Sequence, residues 1–530
     1  MSTTAGPAAA ATPAPAGSAQ QPPSEDPRYQ PLPDGFRLRL RADTATHRTP
    51  DGAIVLIGGS PTRSIRLSPA AVRLLAGPTL TVTDAAAALV ARRLLDGNLA
   101  DPEVTAPLPV ADLTVVVPVR DRPAQLDRCL AALRSTSSPA PAPSDADSTP
   151  TALPRLLVVD DASHDPAAVA AVAARHGAEV IALSTNVGPA GARNAGLTAV
   201  TTTAVAFVDS DVTAPLPALV ALTAQLADPR VALVGPLVRG VLRSPRPRWF
   251  ERYDAGASSL ALGERRCSVA VGAAVGWLPS ACLVARTAAL RSLDRTGFDD
   301  AMRVGEDVDL VWRTLAAGWT VRYEPGVEVG HDVRAGLGEM LSRKLLYGTG
   351  SGPLADRHGD AVAVARLTPL MAAAGAGILL RRPWSVTLAA AATWSARRSV
   401  AATLPEFDGR GRTADLLALR GLGWSVRQES ALLLRHWWPA AAVGCAVSPT
   451  VRRMVGSAVL VDTAVALTLD RPLRRPDLPG VGLPTLLVGR RLDDLAYGLG
   501  VWVGAVRSRS WRGLAVDVVR RRSGRRTTAG

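Results

Sequence analysis

The stretch Ala204-Val205-Ala206-Phe207-Val208-Asp209-Ser210-Asp211 decides how the rest of the chain is read. Five apolar residues in a row, without alternation, are expected of a strand buried on both faces, as in a parallel sheet. Two carboxylates follow at once. In an extended segment residues two apart share a face, so Asp209 and Asp211 are expected side by side. Alone, such a pair also reads as a solvated turn. Its neighbours change that reading, because other apolar runs end in the same way. The run over 113–117 ends in Pro118-Val119-Arg120-Asp121, and the run over 156–159 ends in Asp160-Asp161-Ala162-Ser163. Helical patterns over 124–133, 166–176 and 188–199 alternate with these runs and with a fourth over 180–183. Strand–helix alternation implies an open α/β sheet with its ligand at the carboxyl ends of the strands. Several carboxylates on one sheet edge repel unless compensated. A divalent cation carrying bound phosphates supplies that compensation, and hard oxygen ligands favour Mg²⁺ or Mn²⁺ over zinc.

Further polar segments join this edge. Asn186-Val187-Gly188-Pro189-Ala190-Gly191-Ala192-Arg193-Asn194 follows the 180–183 run. Its glycines permit close backbone approach, and a helix N-terminus with Arg193 offers donors to a diphosphate. It matches neither GxGxxG nor the P-loop pattern, and an ordinary glycine-containing helix start is the alternative. Gly305-Glu306-Asp307 opens another helical pattern. Adjacent carboxylates there point in different directions, so one can deprotonate an acceptor while the other orients it. The alternative is an acidic first turn favoured by the helix dipole. His331 ends the run over 327–329 and is a candidate third metal ligand or a structural residue. Trp277 and Trp319 are candidates for stacking on a sugar or for the core.

In this order, Val116-Val117-Pro118-Val119-Arg120, Val159-Asp160-Asp161-Ala162-Ser163, the segment from Asn186 to Asn194, Asp209-Ser210-Asp211 and Gly305-Glu306-Asp307 resemble the motif series of inverting family-2 glycosyltransferases of the GT-A fold. The resemblance covers about residues 112–332. It implies that Asp160 and Asp161 bind the nucleobase and ribose of a UDP-sugar, with Pro118, Arg120, Asn186, Gly188 and Arg193 also at the nucleotide-sugar. It implies that Asp211 with Asp209 holds Mn²⁺ or Mg²⁺, and that Asp307, beside Glu306, is the catalytic base. Processive polymer-forming members carry a QxxRW-like motif and long spanning helices, and this sequence has neither.

Outward from that core the composition changes. Of 530 residues, 47% are apolar and 20% charged, which excludes a wholly disordered chain. The four cysteines are far apart with no CxxC, which disfavours a disulfide scaffold or structural zinc and fits a reducing, cytoplasmic setting. Net charge is +14, yet residues 361–530 hold 25 Arg against 10 Asp and Glu, so the first 360 residues are almost neutral. That asymmetry disfavours a nucleic-acid binder. Residues 1–30 read as a disordered Ala/Pro/Ser tail without a signal peptide. Residues 31–104 suggest a small winged-helix-like module: strands near 36–41, 53–57 and 64–67, then helices after Ser68-Pro69 and Thr83-Asp84. The transferase region is expected over 110–335, with a Pro/Ala loop over 135–154. Residues 336–530 read as apolar helices. The runs over 367–380, 384–396 and 454–469 fall short of the ~20 residues a bilayer span needs. Seven of 11 Trp lie there among flanking Arg, and Arg520-Arg521-Arg522 with Arg525-Arg526 suits anionic headgroups. Buried core helices are one reading. Peripheral contact with the inner face of the cell membrane is the other.

The front module, with Leu67-Ser68-Pro69-Ala70 and Leu94-Leu95-Asp96-Gly97, resembles PqqD-type peptide-recognition domains. Fused to such a transferase, it resembles the glycosyltransferase family of the mycofactocin system of actinobacteria. That resemblance implies glucose transfer to premycofactocin, a peptide-derived redox cofactor, with the precursor peptide or its maturation enzymes as partners. A lipid or cell-wall acceptor is the alternative.

Overall fold

The strand Leu113–Val119 is buried at every residue. Val115, Val117 and Val119 face one hydrophobic core, while Val116 faces a second on the other side of the sheet. Ala204–Val208 divides its residues in the same way. This two-sided burial is the physical reason the runs show no alternation. The computed structural model describes residues 26–135, 153–468 and 481–518. The tail through residue 25, most of the Pro/Ala insert and the Arg-rich end beyond 518 lie outside the described residues.

The main sheet has nine strands. Glu179–Ala182, Arg155–Asp160, Leu113–Val119 and Ala204–Val208 run parallel in that spatial order. Cys282–Arg286 follows antiparallel, then Val231–Val241 antiparallel to it, then Thr320–Asp332 parallel to Val231–Val241. The two-residue strands Val212–Thr213 and Cys267–Ser268 pair with Thr320–Asp332. Helices Pro123–Arg134, Pro166–Arg175 and Gly188–Ala199 make the crossovers between the parallel strands. The expected α/β order is present, and the polar strand ends lie together at one edge.

Residues 37–102 hold seven short strands in two antiparallel sheets and one helix longer than a turn, Ala85–Asp96. The helix after Ser68 is a single turn, Pro69–Val72, before the chain returns to a strand at Leu75–Ala76. Strands such as Ala45–Arg48 escape the pattern because both their faces are largely exposed or polar. The central strand Ile54–Gly58 is buried on both faces for another reason. Ile54 and Leu56 face the core of this segment. Val55 and Ile57 pack against Leu404, Phe407 and Ala414 of the C-terminal region. On another side Arg92 makes a two-pronged ion pair with Asp228, at 2.8 Å for each bond. The Asn98 side chain bonds the backbone of Ser268 in both directions. The N-terminal segment is therefore held between the main sheet and the C-terminal helices.

The C-terminal helices are also tied to the sheet. Helix Leu337–Thr349 continues from the last strand, and the long helix Leu483–Ser508 crosses it closely. Glycines make the crossing possible. A Cβ on Gly500 would collide with the carbonyl oxygen of Leu345, and one on Gly348 with that of Tyr497. Gly500→Val is expected to cost roughly 1–3 kcal/mol through overpacking of the helix pair. It is read as a lower urea midpoint, and an unchanged midpoint would show that the helices have room to part.

Candidate active site

Each strand end contributes by a local device. After Leu113–Val119 the chain turns through Asp121, whose φ of 56° is left-handed. Asp121 accepts from the backbone N–H of His164 at 2.7 Å and lies 2.9 Å from His164 Nδ1, while its own N–H donates to Ser163 Oγ. Two strand ends are thus stitched together. Asp160 accepts from the N–H of Ser163 at 3.0 Å. Asp161 accepts from the N–H groups of Val187 and Gly188, at 2.7 and 3.0 Å, and so caps the helix Gly188–Ala199. Asn186 Oδ1 also accepts from Gly188, at 2.9 Å. Gly188 has a φ of +82° with open space where a side chain would sit, so its backbone conformation is what requires glycine. Pro118 is buried in its strand, and Arg120 is exposed with Asp121 as its ionic neighbour.

The expected juxtaposition of Asp209 and Asp211 is not what folds. The N–H of Val212 donates to the carbonyl of Asp209 at 2.9 Å, closing a turn. The segment is not extended, and its two carboxylates take different partners. Asp209 accepts from Arg193 at 2.6 Å. Asp211 accepts from Arg122 at 2.9 Å and Arg334 at 3.2 Å, and His331 Nε2 lies 3.6 Å away. His331 reaches it because strand pairing sets Val212 opposite His331. Among the described residues no group of three or more His, Cys, Asp and Glu side chains is arranged to hold a metal. Of the three expected ligands, Asp211 and His331 stand together, and Asp209 is drawn off by a buried cation.

That cation is Arg193. It was expected at the nucleotide, but it is buried, with its guanidinium between Asp209 and Glu306 Oε1 at 3.1 Å and 5.2 Å from the centre of the Phe298 ring. Burial alone would loosen its proton, but Asp209 and Glu306 outweigh burial and keep it charged. Glu306 and Asp307 do point in different directions. Glu306 serves Arg193, while Asp307 accepts from the N–H of Val308 at 2.8 Å and of Ser280 at 3.4 Å. Burial, and then the neighbouring Glu306 charge, push the Asp307 carboxyl up to about 7. Asp211 behaves in the opposite way. Burial would raise it, but His331, Arg334 and Arg122 hold it below the usual carboxylate range. Trp319 is core, with its indole N–H directed to Ser292.

Sequence reasoning missed the cationic half of this site. Arg122 carried a signal, standing two residues beyond Arg120 on a polar strand end. Arg334, Arg343 and Tyr347 carried none, because they follow the last strand. With His331 and Lys344 they line a small pocket beside Asp211. Arg343 adds to the positive field on Asp211, and Tyr347 senses the charges of Asp307 and Asp209. Helix Ser351–His358 braces the start of the Glu306–Ala316 helix from behind: Leu354 packs at Gly305, and His358 bonds Asp309 at 2.9 Å.

The family model "Glycosyl transferase family 2" matches residues 114–273. Proteins from two strains of Mycobacterium tuberculosis, each named pre-mycofactocin glycosyltransferase, are 38% identical over 491 residues, 90% of this chain and 97% of theirs. The chain belongs to this glycosyltransferase family. It is a family-2 glycosyltransferase, and its main sheet is the GT-A fold of that family. Among solved structures it is similar to a mannosyltransferase from Pyrobaculum calidifontis in complex with GDP-mannose and Mn²⁺. That match has 18% identity, covers 78% of this chain and 94% of that one, and has a TM-score of 0.40. It is also similar to S. aureus TarS, with 18% identity, 46% and 42% coverage and a TM-score of 0.31.

A base whose carboxyl sits near 7 is protonated below that pH. Activity as kcat/KM should fall about tenfold per pH unit on that side. Glu306→Gln removes the like charge, so the midpoint of this acid limb is expected to move down. A midpoint that stays in place would remove Glu306 as the cause.

Proposed function

We propose that this glycosyltransferase moves a hexose, glucose from UDP-glucose, onto premycofactocin with inversion at the anomeric carbon, and repeats the step to build a short oligosaccharide. The observation that carries the reading is the half-buried Asp307 carboxylate, held near neutral pKa at the start of a helix and beside the Arg193-bridged pair Asp209 and Glu306. Such a group takes the proton of an acceptor hydroxyl as its oxygen bonds the anomeric carbon, while the bond to the diphosphate breaks on the opposite face. Arg122, Arg334 and Arg343 crowd one edge with positive charge and orient the diphosphate there.

The donor set fits a hard divalent ion in part. Asp211 and His331 would hold Mn²⁺ or Mg²⁺, and the diphosphate would complete the shell. Arg122 and Arg334 would then pass from Asp211 to the phosphate oxygens. Such an ion supplies Lewis-acid neutralisation of the leaving diphosphate. Asp209 has its place in the Arg193 bridge instead. Asp160 and Asp161 shape the loop at the base and ribose end, where Asn186 and Gly188 present the helix N-terminus.

The N-terminal segment supports a PqqD-like peptide-capturing role. Among the described residues, strand Arg63–Leu67 pairs on one side only, with Ile54–Gly58. Between it and helix Ala85–Asp96 runs a groove lined by Arg63, Ile65, Leu89 and Arg93. A free strand edge beside a groove suits an extended peptide, with main-chain bonds for affinity and side-chain pockets for choice. The precursor peptide and its maturation enzymes are partners of that kind. The setting is the cytoplasm, with the basic C-terminal helices at the inner face of the cell membrane.

With UDP-glucose, Mn²⁺ and premycofactocin, mass spectrometry should show a ladder of hexose additions. Asp307→Asn should abolish it, by about 10²–10⁴-fold, while calorimetry shows UDP-glucose still bound. Transfer at the normal rate by that variant would exclude Asp307 as base, and product only on a polyprenyl phosphate would overturn the acceptor. Leu89 is exposed, so Leu89→Asp should weaken binding of a precursor-derived peptide about tenfold or more, the loss of roughly 1.5–3 kcal/mol of apolar burial, and leave UDP-glucose binding unchanged. Equal loss of both ligands would count against the groove.

A further inference from the structure

We propose that the outward faces of three C-terminal helices, Trp384–Thr403, Arg410–Ala431 and Pro449–Thr468, form a docking surface for an anionic lipid bilayer, lying in its interface without crossing it. The inference rests on the membrane-contact reading above and commits it to one surface and one lipid class.

These helices are apolar on the wrong side for a water-soluble bundle. Trp384–Thr403 buries only Ser385 and Ala392 of its 20 residues. On it Val386 is 76% exposed and Trp394 58%. Leu416, Leu419 and Trp424 stand out from the second helix, and Val459, Leu460 and Leu467 from the third. At about 100° per residue, Val386 and Trp394 lie about 80° apart around the first helix, Leu416 and Trp424 about 80° around the second, and Leu460 and Leu467 about 20° around the third. Large apolar side chains left exposed on several mutually packed helices mark a contact site rather than free surface. The three helices pack together around a shared fourth, Pro369–Leu380, so they form one body.

Charge selects the occupant. Residues 369–468 hold 11 Arg and 5 Asp or Glu. Of the acids, Glu429 is buried, Asp415 pairs with Arg397, and Asp462 pairs with Arg490 and Arg491. The other two, Glu406 and Asp408, lie on the connection beside Phe407, where the N-terminal segment packs. Arg397 and Arg427 also sit within 5.5 and 5.7 Å of the ring centres of Trp394 and Trp424. Exposed Trp and Leu with Arg alongside match an interface of acyl chains and anionic headgroups. A second copy of the same face would set like charge against like. Among the described residues no helix is long and apolar enough to cross a membrane, so the helices lie along the surface.

The test is flotation of the full chain with phosphatidylcholine vesicles, with and without phosphatidylglycerol, beside the triple variant Trp394→Glu, Trp424→Glu, Leu460→Glu. Circular dichroism and UDP-glucose calorimetry confirm that the variant is folded. The expected result is flotation with anionic vesicles, weaker with neutral ones, and at least about tenfold less partitioning for the variant. A variant that floats like the parent overturns this surface while leaving membrane contact intact. A parent that never floats overturns both. Light scattering that shows a parent dimer lost in the variant assigns the face to a second copy and overturns the lipid.

Discussion

A guanidinium shut away from water holds the polar edge of the sheet together. Arg193 projects from a crossover helix and donates to two negative neighbours, Asp209 from a strand end and Glu306 from the first turn of another helix. Three segments far apart in the chain are thereby fixed at one point. Removing one partner of such a buried set leaves charge without compensation, a cost of about 3–5 kcal/mol. The arrangement is therefore all or nothing. It also sets the chemistry beside it, because burial and then the neighbouring Glu306 charge raise the adjacent Asp307.

The same edge separates two kinds of carboxylate by their surroundings. Asp307 is enclosed with a like charge next to it and keeps its proton up to near neutral pH. Asp211 is more fully buried but faces His331 and two guanidinium groups, and gives its proton up readily. One is suited to accept a proton and the other to bind cations. This division needs residues well beyond the segment 114–273 that matches the family model. Glu306, Asp307, His331, Arg334 and Arg343 all follow it. The C-terminal helices are thus structural partners of the site, with glycine crossings at Gly348 and Gly500 keeping Tyr347 and Arg343 against it.

The N-terminal segment shows a related economy. One apolar strand, Ile54–Gly58, serves two cores at once, its own and one shared with the C-terminal region. Arg92 with Asp228 and Asn98 with Ser268 secure a second contact. The segment is anchored on two sides while the strand edge Arg63–Leu67 stays unpaired on its outer side.

By itself the sequence determined the α/β sheet, the alternation of its strands with helices and the edge where the polar residues gather. Those features are local: an apolar run without alternation must be buried twice, and the polar residues that end it must leave the sheet at its rim. It also placed Asp307 and Glu306 on different bearings, since adjacent helical residues diverge. Tertiary structure decided which carboxylate answers to which cation. The turn closed between Asp209 and Val212 parts the two aspartates that an extended reading sets together. Arg193, Arg334 and Arg343 come to the site from segments up to 150 residues apart. Composition showed the last third to be basic and apolar, but which helix faces are buried and which are left outward depended on packing among helices of nearly uniform hydrophobicity. In such helices no periodic stripe marks one side as core, so only the partners available in the folded chain could choose it.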